Sequence, residues 1–256
     1  MKKNLVLLLI LFSVVSFSFA AITNISVLLE CDDQGGILHN AVVYTIQGVV
    51  TTINLDPTAL QFYMQDATGG VQVYKSGSSA YYSSKGLSVG KEITVTGSCS
   101  QYYSMVEITP SAELDITMIG DGTLPTPEVI TIADLQELTV ADQARFNKRG
   151  KLVELHNIYK ANPKPSGGTD WPTLGNNSNA YYIAIGSEAA TPTGILRFDK
   201  ETDCDENTEP FYPQNVRGIF TQNDNVTPFF QVFQIQPTAY ADFTPYSSVV
   251  GDWDLY

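Results

Sequence analysis

The stretch LQFYMQDATGGVQVY, residues 60–74, contains two runs of alternating side chains on either side of Gly69 and Gly70. Alternate side chains of a strand point to opposite faces, and a short glycine turn between two such runs is typical of antiparallel strands. The stretch therefore predicts a β-hairpin. Its buried face is expected to carry Phe62, Met64, Val71 and Val73, and its open face Gln61, Tyr63, Gln65, Gln72 and Tyr74.

Strand patterns continue on both sides of this hairpin. A long β-branched run with an internal glycine, Gly48, precedes it, and two further runs follow after a loop rich in Ser, Gly and Tyr. One long bent strand followed by two hairpins is the layout of a five-stranded Greek-key barrel, the OB-fold. The runs are AVVYTIQGVVTTI (41–53), KEITVTGSCSQY (91–102) and SMVEIT (104–109), and the loop is 76–88.

The second half of the chain repeats this layout with longer loops, and Gly150 is interpreted as the counterpart of Gly48. Its runs are GKLVELHNIYKA (150–161), NAYYIAI (179–185), TGILRF (193–198), PQNVRGIFTQ (213–222) and PFFQVFQIQP (228–237). The sequence thus predicts an all-β protein with two five-stranded Greek-key, OB-like barrels in tandem and a short helix between them.

The domain organisation follows from these runs. The helix is expected in ITIADLQELT (130–139), where Thr131 and Asp134 have the spacing of a capping box. The expected units are a signal peptide (1–20), an N-terminal lead-in (21–40), a first OB-like domain (41–119), a linker (120–129) and a second OB-like domain (130–248).

The first twenty residues, MKKNLVLLLILFSVVSFSFA, have the three parts of a secretory signal: two lysines, an apolar run and a small-residue end. The apolar run is short for a membrane span, and no later segment is apolar for long enough. With cleavage expected after Ala20, the sequence predicts a secreted or periplasmic bacterial protein without a membrane span.

The chain is acidic, with 27 Asp and Glu against 14 Lys and Arg and a formal net charge of −13. Loss of Lys2 and Lys3 with the signal would make the charge −15 (−13 − 2). Proteins that bind nucleic acid through its phosphates usually have a basic face, and the sequence has none. The charge argues against tight binding of a polyanion and leaves room for a local site of aromatic side chains.

Cys31, Cys99 and Cys204 are the cysteines of the chain. In an exported protein they allow one disulfide with one thiol left over, and Cys31 with Cys99 is the preferred pair because both lie in the N-terminal half. Three separate buried thiols are the alternative.

The combination GVVTTI, FYMQDATGGVQVY and GKEITVTG resembles the OB-like domains found beside secreted bacterial nucleases and phosphoesterases. GKLVEL, AYYIAI, VRGIF and FFQVFQIQP resemble the tandem partner of such a domain. The resemblance covers most of the chain after the signal and implies tandem barrels beside an enzyme. It implies no activity for this chain, in which no catalytic domain is recognisable.

Candidate catalytic residues are few. A metal-dependent hydrolase needs clustered His, Asp, Asn and Glu, but the two histidines are His39, in the lead-in, and His156, within a predicted strand. No nucleophile elbow, phosphate-binding glycine loop or Cys-x-x-Cys motif occurs. The sequence therefore predicts a protein that is not an enzyme.

The densest carboxylate cluster lies at 203–207. Asp203, Asp205 and Asn207 have the spacing that opens a calcium loop, but Thr208 and Gln214 stand where such a loop needs Gly and Glu. A solvated acidic loop and a weak calcium site both fit this pattern, and no other cofactor is expected.

The open face of the first hairpin is the candidate ligand site. OB-folds commonly hold oligonucleotides or oligosaccharides on their second and third strands, where tyrosine offers a ring for stacking and glutamine both a donor and an acceptor. The alternatives are that the tyrosines are plain strand surface, or that the 76–88 loop buries them. The predicted ligand-binding residues are Gln61, Tyr63, Gln65, Gln72, Tyr74, Lys75, Tyr182 and Arg197.

Three functions fit these patterns. The first is an exported, non-catalytic module that weakly binds an oligonucleotide or a glycan, as an accessory to a separately encoded secreted enzyme such as a nuclease. The second is a structural or adhesive surface protein. The third is a divergent metal-dependent hydrolase, which the shortage of histidine argues against.

Overall fold

The computed structural model describes residues 21–188, 191 and 193–247. The predicted signal peptide lies outside them, and so does Ser248, the last residue of the expected second domain. Within this part the chain forms 14 strands in two sheets, joined by short helices. None of the described helices is long and apolar enough to cross a membrane.

The first sheet contains the hairpin at 60–75. Its strands are β1 (Ile22–Thr23), β2 (Val43–Val50), β3 (Leu60–Gln65), β4 (Gly70–Lys75), β5 (Lys91–Tyr102), β6 (Met105–Thr109) and β7 (Ile116–Asp121). The strand order is β1-β2-β3-β4-β6-β5-β7, and β2 also pairs with β5. Strands β2 to β6 therefore close into a barrel, in which the parallel pairing of β4 with β6 gives the OB connectivity.

The second sheet has the same connectivity. Its strands are β8 (Glu128–Val129), β9 (Leu152–Lys160), β10 (Ser178–Ile185), β11 (Gly194–Phe198), β12 (Gln214–Gln222), β13 (Phe233–Gln236) and β14 (Phe243–Pro245). Their order is β14-β12-β13-β11-β10-β9-β8, β12 also pairs with β9, and β11 runs parallel to β13. The predicted all-β class with OB-like barrels is confirmed.

The apolar side chains that alternate along the strands fill the interior of each barrel. Phe62, Met64, Val71 and Val73 are all buried in the first core, as their spacing predicts. The second core is more aromatic. Trp171 packs there against Phe198 and Phe243, although it belongs to the 162–178 segment, which has no strand periodicity.

The helices are α1 (Ile25–Leu28), α2 (Ala80–Ser84) and α3 (Gln143–Phe146), with 3₁₀ turns at Glu113–Asp115, Ile132–Leu135, Asp203–Glu206 and Tyr240–Asp242. The turn at Ile132–Leu135 is the expected short helix between the barrels. The backbone N–H of Thr131 donates to Asp134 Oδ2 there (2.9 Å), as the capping spacing predicts.

The 76–88 segment is not a plain loop, because it contains α2. Tyr82 packs edge-on to Phe62, with ring centroids 5.5 Å apart, and its hydroxyl donates to the Thr52 carbonyl (2.9 Å). The helix thus covers the first core. Its five residues are too few to create a helical periodicity that could be read in the sequence.

Gly150 is not the counterpart of Gly48. Gly48 lies within β2, where a Cβ would come within 2.7 Å of the Gln65 carbonyl oxygen. Gly150 precedes β9 and has a φ of +78°, and it lies against the first barrel. Within β9 the residue of unusual conformation is Asn157, with a φ of +58°.

Cys31, Cys99 and Cys204 are all free thiols. The preferred Cys31–Cys99 disulfide is therefore wrong for this structure. Cys99 is buried in the first core and Cys204 in the second.

Candidate ligand-binding groove between the barrels

The outer face of the first hairpin packs against the second barrel. Tyr63, on β3, is only 1% exposed. It forms a small apolar cluster with Leu55 and Met105 of the first barrel and Leu152 and Ile219 of the second. The prediction that Tyr63 lies on an open face is therefore wrong. The cover is the second barrel, which neither of the two alternative interpretations named.

Gln65, on the same strand, is also buried in this contact. Its Oε1 accepts a hydrogen bond from the Leu152 backbone N–H (2.8 Å). Nearby, the backbones of Gly70 and Gly150 meet so closely that a Cβ on Gly70 would lie 2.1 Å from the Gly150 carbonyl oxygen. These positions join the barrels, so Gln65 is not part of an open binding face either.

Arg149 lies completely buried at the edge of this contact. Its Nε donates to the Phe146 carbonyl (3.1 Å), Nη1 to the Ser104 carbonyl (2.7 Å) and Nη2 to Cys31 Sγ (2.9 Å). The guanidinium also lies over the Phe146 ring, 4.7 Å from its centroid. One cation thereby ties the lead-in, the first barrel and α3 together.

The turn that follows β5 depends on this anchor. Tyr103 and Ser104 have φ values of +47° and +67°, in the left-handed region that non-glycine residues seldom adopt. The buried Ser104 is held by Arg149 and by its own Oγ, which donates to the Asp224 carbonyl (2.6 Å). The turn presents Tyr102 and Tyr103, which are 62% and 41% exposed.

A groove of about 610 Å³ opens beside the apolar cluster, with walls from both barrels. It brings together five of the eight predicted ligand-binding residues: Gln61, Tyr63, Gln72, Tyr74 and Arg197. The other residues that line it are Asp56, Tyr102, Tyr103, Met105, Glu107, Thr221, Gln222, Asn223 and Gln234.

Three predicted ligand-binding residues lie outside the groove. Gln65 is used in the contact with Leu152. Lys75, at the end of β4, is half-buried. A hydrogen bond from the Ser111 hydroxyl lowers the pKa of Asp115, and the charge of Lys75 adds to that lowering. Tyr182 lies beside the 162–178 loop, where a Cβ built on Gly168 would be 3.1 Å from its ring.

Hydrogen bonds fix several side chains of the groove. The Tyr63 hydroxyl donates to Gln72 Oε1 (3.3 Å), and Arg197 Nη1 donates to Gln236 Oε1 (3.4 Å). Both Gln72 and Gln236 are buried. The floor is thus an ordered polar surface, with Arg197 as its cation and Asp56 and Glu107 as its carboxyl groups.

Gln234 and Glu107 line the groove without having been predicted as ligand-binding residues, and both follow a strand alternation that is visible in the sequence. In FQIQ, the sequence of β13, Phe233 and Ile235 enter the second core, while Gln234 and Gln236 point the other way. The same alternation places Glu107 opposite Val106 and Ile108 on β6. The alternation alone could have identified these residues, but not the barrel that faces them.

Glu107 is a carboxyl group of the groove whose pKa burial shifts strongly. Burial raises the pKa of its carboxyl to about 7. Since the pKa in the unfolded chain is lower, the folded state holds this proton more tightly. The contribution of Glu107 protonation to the free energy of unfolding is fully present below the unfolded-state pKa. It is lost as the pH rises through the folded-state pKa of about 7.

We therefore expect Glu107→Gln to stabilise the protein at about pH 8, by roughly 1–2 kcal/mol after allowance for solvent screening, and to change little at about pH 4.5. Urea unfolding at both pH values measures this difference. Glu137→Gln, at an exposed site, is the matched control and should show no such pH dependence. Equal pH dependence in the two variants would contradict the assignment.

The predicted calcium residues have structural partners. Asp203 Oδ1 accepts from the Tyr240 N–H (2.6 Å), Asp205 Oδ2 accepts from the Gly175 N–H (2.6 Å), and Asn207 Nδ2 donates to the Asp203 carbonyl (2.7 Å). In the described ranges, no group of three or more His, Cys, Asp and Glu side chains is arranged to hold a metal.

Each histidine lies beside a glutamate. His39 Nε2 is 3.0 Å from Glu30 Oε2, and His156 Nε2 is 2.8 Å from Glu154 Oε1. Neither histidine lines the groove.

No protein-family model matches this chain. Among curated proteins it is similar to Endonuclease YhcR of Bacillus subtilis (strain 168), with 25% identity over 202 residues. The match covers 77% of this chain and 14% of that protein, so the chain spans only a small part of the relative's length.

Two solved structures match parts of this chain. The tetrameric p202 HIN2 structure matches 78% of this chain and 91% of its own, with 11% identity and a TM-score of 0.33. A Replication Protein A heterotrimer bound to ssDNA matches 38% of this chain and 79% of its own, with 16% identity and a TM-score of 0.29.

Proposed function

We propose that this protein is an exported, non-catalytic module that holds a short single-stranded oligonucleotide in the groove between its barrels, as an accessory to a nuclease. The groove is the observation that carries the proposal. Its volume of about 610 Å³ suits a ligand of a few rings. Aromatic rings, one cation and buried amides line it together.

The rim tyrosines suit stacking on bases. Tyr102 and Tyr103 pack edge to face, with ring centroids 4.6 Å apart and an interplanar angle of 67°, and the anchored turn fixes their backbone. Tyr74 faces the same space. Aromatic stacking contributes about 1–3 kcal/mol per base and tolerates any base sequence. A preordered platform of this kind loses little entropy when the ligand binds.

Arg197 suits a phosphate. Its guanidinium reaches the groove from β11 and is steadied by Gln236. A single cation in an acidic protein supports contact with one phosphate or two, and not with a long duplex. This agrees with weak recognition dominated by stacking, the mode that the net charge favours.

The accessory role and export are supported by sequence. The curated relative is an endonuclease, and this chain matches 14% of its length, so the likeness is to one region of that protein. The pattern of residues 1–20 is that of a secretory signal. A module of this type would keep a nucleic acid strand close to the enzyme that cuts it.

A glycan is the second candidate ligand, and the two carboxyl groups of the groove favour it. Asp56 and Glu107 accept hydrogen bonds from sugar hydroxyls without requiring a phosphate partner. Glycan binding would show almost no dependence on salt, whereas each phosphate contact makes binding salt-sensitive.

We expect Arg197→Gln to weaken binding of a short single-stranded DNA by about tenfold or more, because a charge-assisted hydrogen bond is lost. The slope of log K against log salt should fall by about 0.7, the value for one phosphate on a single strand. Fluorescence anisotropy across a salt series measures both quantities.

Lys164→Gln is the matched control, because Lys164 lies outside the groove and pairs with Asp170 (2.8 Å). An equal loss of affinity in Arg197→Gln and Lys164→Gln would contradict the proposal that the groove is the binding site. The same oligonucleotide should remain intact during incubation with magnesium, calcium or zinc. Cleavage that survives stringent purification would overturn the non-catalytic part of the proposal.

A further inference from the structure

We infer that Glu107 holds the ligand as a neutral carboxylic acid, by donating a hydrogen bond to an oxygen atom of the oligonucleotide, and that binding weakens as the solution becomes alkaline. This inference rests on the proposed function and adds to it a specific donor and a pH dependence. It follows from the position of Glu107 in the groove and from the surroundings of its carboxyl group.

Glu107 lies on β6, in the wall that the first barrel contributes to the groove. Its neighbours Val106 and Ile108 enter the first core, so strand alternation turns the glutamate outwards. Although it lines the groove, Glu107 is only 7% exposed. The carboxyl group is thus withdrawn from bulk water at a place that a ligand in the groove would contact.

The strands on either side of β6 bring no charge to this carboxyl group. The register partners of Glu107 are Gln72 on β4 and Ser100 on β5. The Oε1 atom of Gln72 already accepts from the Tyr63 hydroxyl (3.3 Å). Among the described residues, no hydrogen bond and no ion pair is found at the carboxyl oxygens of Glu107. Since most buried polar groups in folded proteins are paired, a ligand is well suited to supply this partner.

The protonation of Glu107 decides which partner it accepts. Burial raises the pKa of its carboxyl to about 7, because the charged form loses its hydration. Below that pH the group carries a hydrogen that it can donate. The phosphate and base carbonyl oxygens of an oligonucleotide are acceptors for this hydrogen. Above that pH the carboxylate has acceptor atoms only and a negative charge, and both oppose an oxygen of the ligand.

Two neighbouring groups in the groove keep one charge state near neutral pH. Burial raises the pKa of the Tyr63 hydroxyl, which therefore stays protonated. Burial also acts to raise the pKa of Asp56, but hydrogen bonds from Thr58 outweigh it and lower that pKa, so Asp56 stays ionised. The other titratable or charged side chains that line the groove are Tyr74, Tyr102, Tyr103 and Arg197.

Asp199 is a second buried carboxyl group near Tyr63. Burial raises its pKa as well, and its charge acts on the Tyr63 hydroxyl. Its Oδ1 accepts from the Glu201 backbone N–H (3.0 Å), and it does not line the groove. A pH dependence of binding that came from Asp199 would survive the replacement of Glu107, which makes the two carboxyl groups separable by experiment.

The test measures the binding of oligo(dT) to the intact protein by fluorescence anisotropy at constant salt, at about pH 6 and about pH 8. Thymine neither gains nor loses a proton in this range. Because affinity scales with the population of the competent form, the wild-type protein should bind about tenfold more weakly at the higher pH. Glu107→Gln keeps a donor without an ionisable group, so it should bind equally at both pH values.

Glu107→Met separates the hydrogen bond from the charge, because methionine has a similar length and no donor. It should bind about tenfold more weakly than Glu107→Gln at both pH values. Equal affinity of these two variants, each shown to be folded by its melting curve, would overturn the donated hydrogen bond. Glu137→Gln, at an exposed site, is the matched control and should keep the pH dependence of the wild-type protein.

The remaining outcomes separate this inference from the proposed function. Equal binding of oligo(dT) by the wild-type protein at both pH values would overturn the role of Glu107 and leave the proposed function standing. A pH dependence that persists in Glu107→Gln would do the same, because another group would then carry it. Binding at neither pH would overturn the proposed function as well.

Discussion

Tyr63→Ala is expected to lower the free energy of unfolding by about 3–5 kcal/mol, the usual cost of removing a large buried aromatic side chain. The ring fills the space between Leu55, Met105, Leu152 and Ile219, and its hydroxyl donates to Gln72. Alanine would leave a cavity at the contact between the barrels. Urea unfolding of the purified variant measures the loss.

Tyr74→Ala is the matched comparison from the same hairpin. Tyr74 is half-buried at the groove, so its loss should cost less than about 1 kcal/mol of stability and about 1–3 kcal/mol of oligonucleotide binding. Tyr63→Phe, which keeps the ring, should cost about 0.5–1.5 kcal/mol. Equal destabilisation by the two alanine variants would refute the different roles of these tyrosines.

Gly70→Ala is expected to separate the barrels, with a loss of about 4 kcal/mol or more. The new Cβ would lie 2.1 Å from both the carbonyl carbon and the carbonyl oxygen of Gly150. Both are backbone atoms, so no side chain can turn away to make room. The groove should lose its ligand affinity together with the contact. Thermal unfolding and hydrogen exchange of β9 would detect the separation.

Gly77→Ala distinguishes this clash from the general cost of replacing glycine. Gly77 has a φ of +67°, and a Cβ there meets no atom within 4 Å. Only the left-handed conformation opposes alanine at this position, at a cost of about 1–2 kcal/mol. If Gly70→Ala were no worse than Gly77→Ala, the close contact of the backbones would not be holding the barrels together.

The barrels could be predicted because strand alternation reports directly on the interior. Phe62, Met64, Val71 and Val73 follow a period of two, and that period survives folding because each barrel fills its own core. The strand run at 91–102 is likewise β5 from end to end. Alternation also shows that Gln61, Tyr63 and Gln65 share the opposite face.

What covers that opposite face could not be predicted. Tyr63 contacts Leu152 and Ile219, which lie 89 (152 − 63) and 156 (219 − 63) positions later in the chain. No local sequence pattern encodes the pairing of two barrel surfaces. In the second barrel, the apolar Ile195 lies on the same half-buried strand face as Arg197, and it hides the alternation that turns Arg197 towards the groove. The turn that carries Tyr102 and Tyr103 depends on Arg149. Because Arg149 bonds main-chain carbonyls, which every residue has, no sequence motif predicts this contact.

Arg149 also sets an order of events during synthesis. Every strand pair of the first barrel lies within 43–109, so these pairings become possible before residue 149 leaves the ribosome. Arg149, which bonds both Cys31 and Ser104, is synthesised 118 residues after Cys31 and 45 residues after Ser104. A nascent chain that stops short of this arginine would hold the strands of a barrel while its tyrosine turn is still unanchored. The tyrosine turn at the rim of the groove is thus completed after the barrel that carries it.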